Sequence, residues 1–158
     1  MSADIDRIVE FIWREADLLD QMDFAAWLSL WDDAGLYIVP IDRGQTDYAN
    51  CLNYAYDDAA MRRMRVARLT SGESVSAAAA GVTVRTVSRF RRLEDGPQGE
   101  IRMRCAQHLF EFRNGNQRLY AADVSYSLLP AGSDFKLLEK VVLLVNSTDA
   151  LAGITFLP

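Results

Sequence analysis

Two residues, Asn114-Gly115, constrain this chain more than any others. They sit between two long runs rich in β-branched and aromatic residues, about 100–113 and 117–129. Asn-Gly between two β runs favours a two-residue type I′ hairpin, because both positions need a positive φ. That turn places Arg113 opposite Asn116 and fixes the whole register: His108 faces Ala121, Ala106 faces Asp123 and Arg104 faces Ser125. Side chains alternate along a strand. One face of the ribbon therefore carries Met103, Cys105, Leu109, Tyr120, Ala122, Val124 and Tyr126, and is predicted to pack under helices. The other carries Arg102, Arg104, His108, Phe110, Asp123, Ser125 and Ser127, a mixed polar surface.

Three further segments read as strands around this hairpin: about 82–92, 135–147 and 153–157. The N-terminal part is helical. Ile5, Ile8, Val9, Ile12, Ala16 and Leu19 recur at helical spacing and predict a helix over about 5–20 with Asp4 as N-cap. Asp23 is placed to cap a second helix, about 24–31, whose stripe of Phe24, Trp27, Leu28 and Trp31 suits a core better than a ligand box. Asp32-Asp33-Ala34-Gly35 then reads as a helix break, 36–40 as a short strand ending at Pro40, and 42–56 as irregular. Asp57 or Asp58 opens a third helix, about 58–70, with Ala60, Met61 and Met64 inward, Arg62, Arg63 and Arg65 outward, and Gly72 as its stop. The stretch from Ser74 to Gly81 reads as a loop. Helices followed by strands predict one α+β domain over residues 1–158, with three N-terminal helices on one side of a strongly curved, mainly antiparallel sheet.

Composition narrows the chemistry. The chain has one histidine, His108, and two cysteines, Cys51 and Cys105. This ligand set is too small for a four-ligand zinc site, a Rieske cluster or a two-histidine facial triad. If the protein takes part in metal or redox chemistry, the metal is held by another chain. No phosphate-binding glycine motif or nucleophile elbow is present. Two distant cysteines read as buried free thiols in a reducing compartment. The acidic N-terminus reads as neither signal nor transit peptide, and no apolar run is long enough to span a bilayer, so a cytoplasmic protein without membrane contact is expected.

The net charge of −5 hides an asymmetry: residues 1–58 carry −10, residues 59–118 carry +7, and the remainder carries −2. Fifteen of the seventeen basic residues are arginine, the fork-shaped cation suited to interface ion pairs. Either the charged regions neutralise each other within one fold, or some arginines meet a partner. Arg65, Arg68, Arg85, Arg89, Arg102 and Arg104 are the candidates for a subunit interface. An acidic chain argues against nucleic acid as that partner.

Few residues offer acid–base chemistry. His108 and Asp123 are diagonal neighbours in the predicted register, and a carboxylate there would orient the imidazole as a general base. Against this, the register puts both on the polar face, away from any helix-covered pocket. Tyr54 and Tyr56 are either hydroxyl donors in a pocket or packing residues. Asp32 and Asp33 are paired carboxylates that turn chemistry also explains.

Several strings resemble a known family. Phe11-Ile12-Trp13-Arg14-Glu15-Ala16-Asp17-Leu18-Leu19-Asp20, then Phe24, Trp27-Leu28, Trp31-Asp32-Asp33-Ala34 and Tyr37-Ile38-Val39-Pro40, resemble the start of the small (β) subunit of aromatic-ring-hydroxylating dioxygenases. Arg65-Val66-Ala67-Arg68-Leu69 with Gly72, Arg85-Thr86-Val87-Ser88 and Val141-Val142-Leu143-Leu144 resemble later strings of that family. The chain departs from its pattern at Val75, Ala77 and Arg89. The resemblance implies a cone-shaped fold of the nuclear-transport-factor-2-like (SnoaL-like) superfamily. It implies a structural, non-catalytic subunit in a complex of three α and three β subunits. The α subunit would hold the Rieske iron–sulfur cluster and the mononuclear iron and cis-dihydroxylate an aromatic compound during its catabolism. The same superfamily also hosts stand-alone isomerases, dehydratases and hydrolases acting on small apolar molecules. On that alternative His108, Asp123 and Tyr56 would be catalytic.

Overall fold

The computed structural model describes residues 2–71, 81–146 and 157–158. Three helices come first or nearly so: α1 (Ser2–Asp20), α2 (Phe24–Ser29) and α3 (Ala59–Thr70). Six strands form one sheet: β1 (Trp31–Pro40), β2 (Asn53–Asp57), β3 (Val82–Arg92), β4 (Ile101–Arg113), β5 (Asn116–Ala131) and β6 (Asp134–Leu144). Their order is β2-β1-β6-β5-β4-β3, and only the β1–β6 pair is parallel. The fold is α+β, as expected, with the sheet curling around α1. Bulges at Trp31/Leu36, Ser88/Arg91 and Ser127/Leu128 help it bend.

The hairpin is as the turn chemistry dictates. Arg113 pairs with Asn116, His108 with Ala121 and Ala106 with Asp123. Asn114 has φ 51° and Gly115 φ 75°, the two positive values of a type I′ turn. Met103, Cys105, Leu109, Tyr120, Ala122, Val124 and Tyr126 are all buried. They face Ile8, Phe11, Ile12, Ala16 and Leu19, the apolar stripe of α1, in one core.

Other expectations need correction. α1 starts at Ser2, so Asp4 lies in its first turn and is not the cap. Asp23 does cap α2, accepting from the Ala26 N–H at 3.2 Å, but that helix ends at Ser29. Trp31 through Gly35 belong to β1. Gly35 marks the bulge there, because a Cβ would meet Trp31, the Leu137 carbonyl and the Asp32 carbonyl at 2.7, 2.8 and 2.9 Å. The segment read as irregular holds most of β2, four of whose five residues pair with β1 at the sheet edge.

Asp58 caps α3, accepting from the Met61 N–H at 2.9 Å. Arg63 is exposed as expected and Arg65 half-buried, but the rest of the expected inward and outward assignment of α3 fails. Arg62 is buried, while Ala60, Met61 and Met64 are exposed. The Arg62 guanidinium binds three carbonyls, those of Gly35, Asp57 and Asp32, and stacks 4.1 Å from the centre of the Trp31 ring. Such a fork satisfies backbone acceptors that no apolar side chain would. Gly72, most of the Ser74–Gly81 loop, the departures at Val75 and Ala77, and most of the 153–157 segment lie outside the described residues.

The sheet edge at β3 is covered by α1. Asp20 accepts from the Arg85 backbone N–H at 2.7 Å and the Thr83 hydroxyl at 3.0 Å. Trp13 Nε1 donates to the Val87 carbonyl at 3.2 Å. A strand edge otherwise presents unpaired donors and acceptors.

Candidate functional site

The two faces of the sheet hold the polar groups to be explained. On the outer face Asp123 is gripped by three arginines. Its Oδ2 accepts from Arg43 at 3.1 Å, and its Oδ1 accepts from Arg104 at 3.2 Å and from Arg89. Arg89 sits in the β3 bulge at φ 56°, and this unusual backbone turns its guanidinium onto Asp123. Burial pushes the Asp123 carboxyl up, but Arg89 and Arg104 more than offset it, leaving it below the usual carboxylate range.

This arrangement does not build the acid–base site considered above. His108 is exposed on the outer face, opposite Ala121 and Thr86. Both Asp123 oxygens are engaged by guanidiniums. Tyr56 lies on β2, separated from β4 by β1, β6 and β5. Tyr54 is half-buried with the Arg65 guanidinium 5.6 Å from its ring centre; burial pushes its hydroxyl pKa up, and it packs against the core. Asp32 Oδ1 accepts from the Ala34 N–H at 2.9 Å, which is turn chemistry.

The inner face holds a charged group that the sequence reading missed. Glu15 on α1 and Lys140 on β6 are both fully buried, with Lys140 Nζ donating to Glu15 Oε1 at 2.8 Å. Trp27 Nε1 donates to the same oxygen at 2.9 Å, and the Tyr126 hydroxyl donates to Oε2 at 3.2 Å. Lys140 Nζ lies 5.9 and 5.7 Å from the centres of the Tyr37 and Tyr126 rings. Burial drives the Lys140 ammonium pKa down, and Glu15 restores part of it. Burial drives the Tyr126 hydroxyl pKa up, and Glu15 adds to that. A carboxylate with three donors, one of them an ammonium, is a closed polar core, held in the space under α1. Position was the available signal. Glu15 lies on the buried stripe of Ile8, Ile12 and Leu19, and Lys140 shares alternation parity with the buried Val142 and Leu144.

The candidate interface arginines divide. Arg85 is turned inward, binding Asp20 and the Leu157 carbonyl, which corrects the expectation of an outward guanidinium. Arg65 makes a two-pronged ion pair with buried Asp57 at 2.5 and 3.1 Å. Arg68, Arg89, Arg102 and Arg104 face outward. Among the described residues, no three histidine, cysteine or carboxylate side chains converge to hold a metal ion. Among them also, no helix is long and apolar enough to cross a membrane. Both cysteines are free thiols; Cys105 is buried as expected, whereas Cys51 is only half-buried.

The profile of the ring hydroxylating beta subunit family matches residues 14–149. The chain belongs to that family. Its role is that of the structural beta subunit of an aromatic-ring dioxygenase. Among its relatives this beta subunit is 29% identical to the small oxygenase component of the p-cumate 2,3-dioxygenase system of Pseudomonas putida, over 84% of this chain and 74% of that one. It is 23% identical to the anthranilate 1,2-dioxygenase small subunit of Acinetobacter baylyi, over 88% of each. Its fold is shared with a naphthalene 1,2-dioxygenase structure with indole in the active site, at a TM-score of 0.84 and 17% identity, covering 100% of this chain and 87% of that one. The beta subunit of benzoate 1,2-dioxygenase from Burkholderia mallei superposes at 0.74 with 22% identity, covering 94% of each. A protein described as NTF2-like superposes at 0.63 with 16% identity, covering 95% of this chain and 85% of that one, which places the beta subunit in the expected fold class.

Proposed function

We propose that this beta subunit works beside a catalytic large subunit that carries the Rieske cluster and the mononuclear iron, three copies of each forming one complex. The complex cis-dihydroxylates an aromatic compound during its breakdown, in the cytoplasm. The observation that carries this reading is the family match over residues 14–149, nearly the whole chain. The interior supports it, because Glu15, Lys140, Trp27 and Tyr126 bind one another. The named relatives act on p-cumate and anthranilate, both aromatic, which supports an aromatic substrate. Two free thiols suit a reducing compartment. Arg68, Arg89, Arg102 and Arg104, facing outward, are the arginines offered to neighbouring subunits.

Co-expression tests it. With its cognate Rieske-type large subunit, the chain is expected to co-purify as a stable complex that turns an aromatic substrate into its cis-dihydrodiol. The chain alone is expected to give no such product. Two chains that never co-purify would refute the proposal.

A further inference from the structure

Near the tip of the β4–β5 hairpin, the inner face of the sheet leaves one carboxylate unanswered. Glu111 follows Cys105, Gln107 and Leu109 in the inward alternation of β4 and is only 2% exposed. Its direct cross-strand neighbours are Thr83 on β3 and Arg118 on β5. Both are engaged elsewhere. The Thr83 hydroxyl donates to Asp20 at 3.0 Å, and Arg118 donates to the Tyr120 side chain. The buried Oε2 of Glu111 has no hydrogen-bond partner. A buried carboxylate oxygen in that position is costly, and native folds rarely carry one without a reason.

Glu111 forms the floor of a pocket. Its volume is about 50 Å³, and Arg113, Asn114, Asn116 and Arg118 complete its lining. About 10–15 Å³ admits one water, so this space takes a larger group. Glu111 pairs with Arg118 and Arg113 with Asn116, so side chains of one hairpin face converge there. Arg113 is half-buried and Arg118 exposed, which sets their guanidiniums above the buried carboxylate, towards the rim. This mixture of charges restricts the ligand. A bare cation satisfies Glu111 but meets two guanidiniums. A bare anion suits the guanidiniums but sets its oxygens against the carboxylate. A molecule with an ammonium and a carboxylate one carbon apart meets both demands. Each end then gains a charge-assisted hydrogen bond, and arginine grips a carboxylate in its fork.

We propose that this pocket binds a small zwitterion of the α-amino acid class, its ammonium on Glu111 and its carboxylate on Arg113 and Arg118. The ammonium supplies the donor that Thr83 and Arg118 give to other groups. Asn114 and Asn116 contribute amides that both donate and accept. All five side chains belong to one hairpin, so binding needs no partner chain.

The test is an NMR titration of the purified full-length chain with free glycine, methylammonium and acetate. The last two each carry one half of the zwitterion. Glycine is expected to bind with a Kd on the order of 1 mM, modest for so small a ligand, and to shift the amides of Glu111, Gly115 and Arg118. Methylammonium and acetate are each expected to bind at least about tenfold more weakly, lacking one charge-assisted contact. Glu111→Gln, checked for its fold by circular dichroism, is expected to weaken glycine at least about tenfold for the same reason. Arg118→Gln, at an exposed position that leaves the core untouched, is expected to weaken glycine and to narrow its advantage over methylammonium. No glycine binding up to about 50 mM overturns the inference and leaves the pocket to water. Methylammonium binding as tightly as glycine overturns it in favour of a simple cation site, and acetate doing so in favour of an anion site. Glycine binding that neither Glu111→Gln nor Arg118→Gln weakens overturns it as well.

Discussion

Replacing Lys140 by methionine isolates the cost of the buried ion pair. The lysine and Glu15 are both fully buried with 2.8 Å between Nζ and Oε1. At the effective dielectric near 20 that suits protein sites, unit charges at this distance attract by about 6 kcal/mol. Desolvating each ion costs several kcal/mol, so the pair is nearly neutral in net terms, whereas removing one partner typically costs about 3–5 kcal/mol. Methionine fills the volume but leaves Glu15 with only the Trp27 and Tyr126 donors. The expected loss is about 4 kcal/mol. For a urea slope near 2 kcal/mol/M, that moves the unfolding midpoint down by roughly 2 M. Adding Glu15→Gln to Lys140→Met removes the orphaned charge while keeping an acceptor for one donor. The double variant is therefore expected to recover more than half of the loss. A Lys140→Met loss below about 1 kcal/mol would refute the reasoning, because removing one partner of a buried pair should cost several times that. A double variant less stable than the single one would refute it equally.

Other expectations follow from single contacts. Gly35→Ala forces a Cβ within 2.9 Å of two backbone carbonyls, so a loss of at least about 2 kcal/mol in chemical denaturation is expected from overpacking. Arg62→Lys keeps the charge but loses the fork that reaches three carbonyls, and a loss of about 2 kcal/mol with a lower Tm is expected from unsatisfied acceptors. Iodoacetamide is expected to label Cys51 in the native chain and Cys105 only after unfolding, read by mass spectrometry. Burial pushes the Cys105 thiol up to about 12. The folded state therefore keeps this proton where the unfolded chain loses it. Its stabilisation is complete below the unfolded thiol value and is lost as pH rises towards 12. Between pH 8.5 and 10 the native chain is expected to lose about 1.5 kcal/mol relative to Cys105→Ala, since the slope reaches 1.36 kcal/mol per unit only once the unfolded thiol is ionised.

The contrast between what the sequence revealed and what it concealed follows the range of the forces involved. Asn114-Gly115 specified a register across thirteen residue pairs because turn geometry is local and strand alternation carries it outward. Asp23 and Asp58 were legible as caps for the same reason. Arg62 was misplaced because its acceptors come from Asp32 and Gly35 on another element, and amphipathic spacing alone assigns a guanidinium to solvent. Glu15 and Lys140 stand 125 residues apart, so each read as an ordinary charge until the sheet brought them together. Strand β2 was missed because five residues bounded by polar turns carry too little periodicity, and its pairing with β1 decides its state. His108 was read as outward from register alone, and the same register shows why Asp123 is occupied by arginines.

The way α1 seals β3 bears on the size any assembly can reach. Asp20 occupies the Arg85 donor of the edge strand and Trp13 occupies the Val87 acceptor, so another chain meets an interrupted row of backbone groups there. Growth by adding strand to strand has no natural limit, whereas contact through side-chain faces stops when the rotation closes. A helix lying along the sheet border thus does more than complete a core. It interrupts the one mode of contact that would turn a subunit into a fibre, and leaves the number of copies to the shape of its faces.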